Sequence, residues 1–273
     1  MIKEEFERRA KQVRKNIVQM IAAAGSGHPG GSLSVADILV VLYFDAMHID
    51  AKNPGLETRD RFVLSKGHSA PALYAVLAER GYFPKEELMK LRKCGAMLQG
   101  HPDMKRIPGV DMSTGSLGQG LSAANGMALS AKLDQADWRV YVVVGDGELQ
   151  EGQIWEAVMS SAHYGLDNLT LFVDHNGLQI DGTNDEVMKV MPIAEKFRVF
   201  GWNAIEINGH DFEEICSAIQ LAKHTKGRPT VIVAETVKGK GVSFMENQVG
   251  WHGKALDEVQ CRQALEELTG GEA

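Results

Sequence analysis

Two short polar signatures close two apolar runs, and together they offer the ligands of a hard cation. Gly145-Asp146-Gly147 ends the run Val140-Tyr141-Val142-Val143-Val144, and Asn176 closes a second run, Leu169 to Val173. An aspartate and a carboxamide at neighbouring strand ends present hard oxygens. Mg²⁺ takes few protein oxygens and completes its shell with ligand phosphates. Ligands of open α/β sheets lie outside the carboxyl ends of the strands. The pair therefore reads as a clamp through which a divalent ion holds a diphosphate. The two glycines lack a Cβ, so the backbone can approach the phosphates closely.

Four histidines stand in loops rich in glycine or proline: Gly27-His28-Pro29-Gly30, Gly67-His68, Gly100-His101-Pro102-Asp103 and Trp251-His252-Gly253-Lys254. A histidine in such a loop is sterically open. It can donate to a phosphate or hydroxyl, or relay a proton near neutrality. Loops beyond strand ends converge on one cleft, so the four are expected to share it. His48, His163, His175, His210 and His224 lack that context and are read as local capping or surface residues. Glu148 and Glu151 enter the next helix, and for Glu148 the expectation is a favourable interaction with the helix dipole. Gly25-Ser26-Gly27-His28-Pro29-Gly30 matches the dinucleotide fingerprint literally, but the preceding segment has helical period where that motif needs a strand.

These residues must be positioned by alternating elements. Phe6, Val13, Ile17, Met20 and Ile21 recur near helical period, and the helix stops at Gly25. Ser34 to Met47 reads as a second helix with Ser34 as N-cap. Arg61 to Ser65 reads as a strand, and Ala70 to Arg80 as a helix ended by Gly81. Cys94 to Gly120 is a long loop of the kind that usually carries function. There follow helix Leu121–Leu133, strand Arg139–Val144, helix Gly152–Tyr164, strand Leu169–Val173 and helix Met191–Phe200. Strand Asn203–Ile207, helix Phe212–Lys223, strand Thr230–Glu235 and helix Leu256–Leu268 complete the chain. The alternation predicts an α/β fold: a parallel sheet flanked by helices on both faces.

Composition narrows the class. At 273 residues, 44% hydrophobic and 24% charged, the chain has ordinary globular composition. Its net charge of -7 argues against a nucleic-acid surface, which needs a basic face. Cys94, Cys216 and Cys261 are far apart, so no disulfide framework or zinc knuckle is indicated. The charged start carries no secretory signal, and Val35 to Met47 is too short to span a bilayer. A cytoplasmic protein without membrane attachment is expected.

The ordered motifs resemble the transketolase family, specifically its N-terminal, diphosphate-binding part. They run from SGHPGG at Ser26–Gly31 through RDRFVLSKGH at Arg59–His68, GHP at Gly100–Pro102 and TGSLGQG at Thr114–Gly120. GDGELQEG at Gly145–Gly152, DHNGLQIDG at Asp174–Gly182 and WHGK at Trp251–Lys254 follow. The resemblance implies a thiamine diphosphate-binding fold, with residues 1–273 forming one domain. It implies Asp146, Asn176 and the Leu178 carbonyl as ligands of Mg²⁺, or of Ca²⁺ or Mn²⁺ in its place. Gly147, His68 and His252 would contact the diphosphate, and Gly115, Leu117 and Ile180 the cofactor rings. His28 and His101 would bind and relay protons for the sugar, and Glu151 would join a hydrogen-bond link between two active sites. His175 replaces an aspartate and Ser116 a proline common among relatives, and neither change removes a ligand.

A full transketolase is about twice as long. The resemblance implies that the domain carrying the glutamate that activates the cofactor, and the arginines that grip the substrate phosphate, is expected on a second chain. The expectation is the N-terminal subunit of a two-chain enzyme, an α2β2 assembly completed by a C-terminal, pyrimidine-binding subunit. Pentose phosphates (and so the pentose phosphate pathway), sulfosugars and branched-sugar phosphates all stay open as substrates. The α chain of a 2-oxo-acid dehydrogenase would share the clamp without GHPGG, GHP and WHGK together. A non-catalytic subunit would be expected to have lost some of these residues.

Overall fold

The computed structural model describes residues 1–270. Helices α1 (Lys3–Ala24), α2 (Pro29–Ser34) and α3 (Ala36–Val41) lead to strand β1 (Arg61–Leu64) and helix α4 (Ala70–Arg80). Helix α5 (Gln119–Leu133), strand β2 (Val140–Gly145), helix α6 (Gly152–His163) and strand β3 (Leu169–His175) follow. A small hairpin, β4 (Leu178–Gln179) and β5 (Gly182–Thr183), precedes helices α7 (Asn184–Val187) and α8 (Ile193–Val199). The chain continues through β6 (Asn203–Asn208), α9 (Phe212–His224), β7 (Thr230–Glu235) and α10 (Glu258–Thr269).

Among the described residues the main sheet has five strands in the order β1-β2-β3-β7-β6, every pair parallel. Period-2 alternation splits each strand between two cores. Phe62, Leu64, Tyr141, Val143, Phe172 and Ile232 join a core with α1, α3, α4, α9 and α10. Val63, Val140, Val142, Val144, Leu171 and Val231 face a second one with α5, α6 and α8. Both faces are covered, which is why these strands read as continuous apolar runs. Among the described residues no helix is long and apolar enough to cross a membrane.

Most element ends follow their punctuation. Gly25 and Gly81 cap α1 and α4 in the left-handed conformation, at φ 62 and φ 88. The largest departure from expectation is at Ser34, which is not an N-cap but the last residue of α2. Its hydroxyl donates to Gly31 O at 3.1 Å and to Asp174 Oδ2 at 2.7 Å. That long-range bond to the end of β3 outweighs local capping, and the chain reaches Met47 through α3 and a short π-helical turn instead of one helix. The long loop expected from Cys94 carries neither α-helix nor strand until α5 begins at Gln119.

Candidate functional site

The polar groups lie at the carboxyl ends of four strands. β1 runs out into Ser65, Lys66 and His68, β2 into Asp146, β3 into Asp174 and Asn176, and β7 into Thr236 and Lys238. Parallel register brings them together: Gly145 is paired with Asp174, and Asp146 N–H donates to Asp174 O at 3.3 Å. Above this edge opens a cavity of about 330 Å³. Its lining includes His28, His68, Gly115, Leu117, Asp146, Gly147, Glu151, Asn176, Leu178, Ile180 and His252. Of the residues singled out from the sequence, His101 alone does not line it.

Three histidine loops meet as expected. The rings of His28, His68 and His252 lie 5.2 to 5.6 Å apart, centroid to centroid. The fourth does not join them: His101 is exposed and stands behind the Gly115 backbone, where a Cβ on Gly115 would lie 3.0 Å from its Cδ2. His101 is thus at the rim of the cleft and not on its floor. Arg92, held to Ser26 Oγ at 3.0 Å, stands nearby. Burial, then the charge of Arg92, lowers the imidazole pKa of both His28 and His101.

The cation corner is built from backbone amides and one carbonyl. Asp146, 2% exposed, accepts from Gly147 N–H at 2.8 Å and from Gly177 N–H at 2.6 Å. Burial, followed by the charge of Asp174, pushes its carboxyl pKa upward, so a cation here relieves it. Asn176 Oδ1 accepts from Leu178 N–H at 3.2 Å, while its Nδ2 donates to Asp174 Oδ2 at 3.3 Å. Among the described residues no group of three or more His, Cys, Asp or Glu is placed to hold a metal. A metal would therefore rest on one carboxylate, one carboxamide, one carbonyl and the ligand's phosphates, the mixed set that suits Mg²⁺.

Several residues that sequence reasoning passed over complete the site. Lys66, 1% exposed, donates to Gly31 O at 2.9 Å and pairs with buried Asp174. Asp174 also accepts from Thr236 Oγ1, so four partners gather on it. Lys238 Nζ, 2.9 Å from both Leu178 O and His252 Nδ1, sits in the cleft itself. Its pKa falls to about 8 through burial and then the charge of Lys66. Glu148 corrects a sequence expectation. Its carboxylate does not serve the α6 dipole but turns inward, 3% exposed, accepting from Ser65 Oγ, Gly118 N–H and Gly145 N–H. It ties β1, β2 and the start of α5 together under the cleft. The signal for it was composition only: a carboxylate among glycines whose amides need acceptors.

The space fits a phosphorylated ligand. A Cβ on Gly31 would stand 3.3 Å from Lys66 Nζ and 3.6 Å from His68 Nε2, filling the floor beside two donors. Among the described residues, His28 Nδ1 and Gln179 Nε2 are buried polar atoms without a hydrogen-bond partner. Burial, then the charges of neighbouring cations, lowers His28 to about 4 and His252 to about 3, and holds His68 well below the usual imidazole range. These rings are neutral at pH 7, each with one N–H to give.

A consequence is acid lability. The folded chain binds these protons more weakly than the unfolded chain, so the stability they contribute is complete above about pH 6.5. It is lost as pH falls toward about 4 for His28 and about 3 for His252. Thermal melts of the cofactor-free chain are expected to drop across that window, and a His28→Asn/His252→Asn variant to drop less steeply. An equal slope in wild type and variant would contradict this assignment.

A neutral imidazole cluster, a buried lysine and a hard-cation corner at the carboxyl edge of a parallel sheet define a domain that holds a phosphorylated cofactor. The chain belongs to the transketolase family: the family described as transketolase, thiamine diphosphate binding domain, matches residues 6–271. It is 48% identical over 264 residues to the 6-deoxy-6-sulfo-D-fructose transketolase subunit of Clostridium sp. (strain MSTE9), covering 97% of this chain and 96% of that one. It is 41% identical over 266 residues to one subunit of the apulose-4-phosphate transketolase of Phocaeicola vulgatus, covering 97% and 94%. Human transketolase is 45% identical over 263 residues, but the match spans 95% of this chain and 41% of the human one. The solved transketolase of Campylobacter jejuni superposes with a TM-score of 0.93 at 34% identity, covering 98% of this chain and 43% of that one. The α/β reading and the family resemblance both stand.

Proposed function

We propose that the chain is the N-terminal, cofactor-holding subunit of a two-chain transketolase. It would move a two-carbon ketol unit from a ketose phosphate, or a related sugar bearing an acidic group, to an aldose acceptor. The observation that carries this is the length of the match. The two relatives covered at 96% and 94% are named as transketolase subunits, whereas human transketolase is covered at 41%. On this reading residues 1–273 act as one diphosphate-binding domain, and a C-terminal, pyrimidine-binding chain supplies the activating glutamate and the phosphate-gripping arginines. Two copies of each chain would assemble in the cytoplasm. The paired helices α5 and α6, which leave Leu133 and Met159 exposed, are the proposed contact.

Asp146, Asn176 and the Leu178 carbonyl would hold Mg²⁺, or Ca²⁺ or Mn²⁺. The Gly147 amide, His68 and His252 would donate to the diphosphate, with Gly115, Leu117 and Ile180 beside the rings. Thiamine diphosphate, when bound, supplies the thiazolium that stabilises carbanion character. The chain's own residues bind and orient. Neutral His28 gives an N–H to the sugar carbonyl or hydroxyl, and His101 at the rim exchanges protons with the sugar hydroxyls. Glu151, exposed at the start of α6, would link sites between subunits.

The relatives' named sugars, a sulfofructose and apulose 4-phosphate, keep the donor open between sulfosugars, branched-sugar phosphates and the pentose phosphates of the pentose phosphate pathway. A donor panel offered to the chain mixed with a C-terminal transketolase subunit tests the reading. Ketol transfer from one of these sugars is expected. Turnover of 2-oxo acids alone would replace the proposal with the dehydrogenase alternative.

A further inference from the structure

Below the cleft a second polar chain runs through the protein and ends at Lys238. Arg14 of α1 grips Asp37 of α3 with both terminal nitrogens, Nη1 to Oδ1 at 2.9 Å and Nη2 to Oδ2 at 2.7 Å. His210, in the turn between β6 and α9, meets the same carboxylate through Nδ1 at 2.7 Å. On its other side His210 Nε2 accepts the backbone N–H of Val237 at 2.8 Å. That last bond fixes the tautomer. Nε2 carries the lone pair, so Nδ1 carries the proton and donates it to Asp37. The His210 and Asp37 side chains are only 13% and 5% exposed, so solvent does not substitute for these bonds.

Val237 is the residue before Lys238, in the segment that leaves β7. The segment is held on its next residues as well, since Gly239 N–H donates to Gly30 O at 3.0 Å, and Asn247 N–H donates to Lys238 O at 2.9 Å. Between these anchors the Lys238 ammonium lies 2.9 Å from Leu178 O and 2.9 Å from His252 Nδ1. A Cβ on Gly30 would come within 3.0 Å of Lys238 Cγ, so the stem has no room to swing toward the His28 loop. Of these three backbone anchors, the Val237 amide is the one that depends on a side chain.

We propose that His210 is a positioning residue for the diphosphate end of the site. Oriented by Asp37 and Arg14, its Nε2 fixes the Val237 amide and so aims the Lys238 ammonium at the Leu178 carbonyl and His252. This rests on the reading that the cleft holds thiamine diphosphate. The proposed function does not require it, because His210 touches neither the cleft nor any residue assigned there except through the Val237 backbone. It also gives His210 a task beyond the local capping expected from its sequence context.

The two functions of the ring are separable by substitution. In His210→Asn the amide nitrogen stands near Nδ1 and keeps the donor to Asp37 but cannot reach Val237. In His210→Gln the amide oxygen stands near Nε2 and keeps the acceptor. The chain is titrated with thiamine diphosphate at fixed Mg²⁺, read by the fluorescence of the tryptophans, of which Trp251 adjoins His252. His210→Asn is expected to weaken binding by about 10- to 100-fold, the scale on which losing a partner that orients a metal ligand is felt. His210→Gln should recover most of that loss. In a Lys238→Met background His210→Asn should cost little more, because the two changes act through one group. Equal affinity of the Asn and Gln variants, or an undiminished cost in the Lys238→Met background, would overturn the proposal. A fall in melting temperature common to both variants with affinity unmoved would do the same, since it marks a purely structural bond. Failure of wild type to bind both alone and with a C-terminal subunit added would overturn the cofactor reading, and this inference with it.

Discussion

Replacing Asp146 by alanine is expected to weaken thiamine diphosphate binding about 100-fold or more, at or beyond the top of the range for residues that merely orient a metal ligand. The side chain is 2% exposed and held by two amides, so it is aimed before any ligand arrives. Its burial beside Asp174 raises its carboxyl pKa, which means that the anionic form is disfavoured without a cation. Fold stability should therefore move far less than affinity. Calorimetric titration with Mg²⁺ present, together with melts of the cofactor-free variant, separates the two. A melting temperature that collapses along with affinity would assign Asp146 to the fold instead of the ligand.

The second large effect concerns the fold beneath the site. Lys66→Met is expected to lower the unfolding free energy by about 3–5 kcal/mol, the cost of leaving one partner of a buried ion pair without the other. Lys66 and Asp174 side chains are 1% and 0% exposed, so bulk solvent cannot take the place of the ammonium. Burial alone raises the Asp174 carboxyl pKa, yet the adjacent Lys66 and the hydroxyls of Ser34 and Thr236 hold it below the ordinary carboxylate value. Because the folded pKa is depressed, this stabilisation is present above about pH 4 and is lost as pH falls below the unfolded value. Urea unfolding near neutrality reads the cost. A loss under about 1 kcal/mol, the level of an exposed pair, would contradict the assignment.

The two predictions also mark what the sequence could and could not reveal. Elements with strong periodicity and glycine stops were legible: α4 ends at Gly81 and β7 runs Thr230–Glu235 in sequence and structure alike. The Gly145-Asp146-Gly147 and Asn176 pairing was legible because buried parallel strands are continuous apolar runs whose ends are sharp. Lys66, Asp174 and Lys238 were not, since a charged residue at a strand end looks solvated until the strand beside it is known. Glu148 is illegible for the same reason: the donors to its carboxylate include Ser65 and Gly118, remote in sequence. The β4–β5 hairpin escaped because two-residue strands carry no pattern. Ser34 has the sequence context of a helix cap, yet its hydroxyl answers Asp174, 140 positions away. In each case a long-range polar contact or a missing pattern left local preference a poor guide.

The same logic assigns the histidines. Glycine-bearing loops brought His28, His68 and His252 together as expected, while His101 went to the rim and His210 acquired partners on two other elements. What the cleft contains is a way to hold and orient a cofactor. On the proposed reading the group that activates it comes from the second chain.

The most direct test of that reading is ketol transfer measured with the purified chain alone, and again with the C-terminal chain added, both with thiamine diphosphate and Mg²⁺. The account predicts negligible turnover from this chain by itself, and turnover that rises with the second chain and saturates at equal amounts of the two. Full ketol-transfer activity from this chain alone would contradict it.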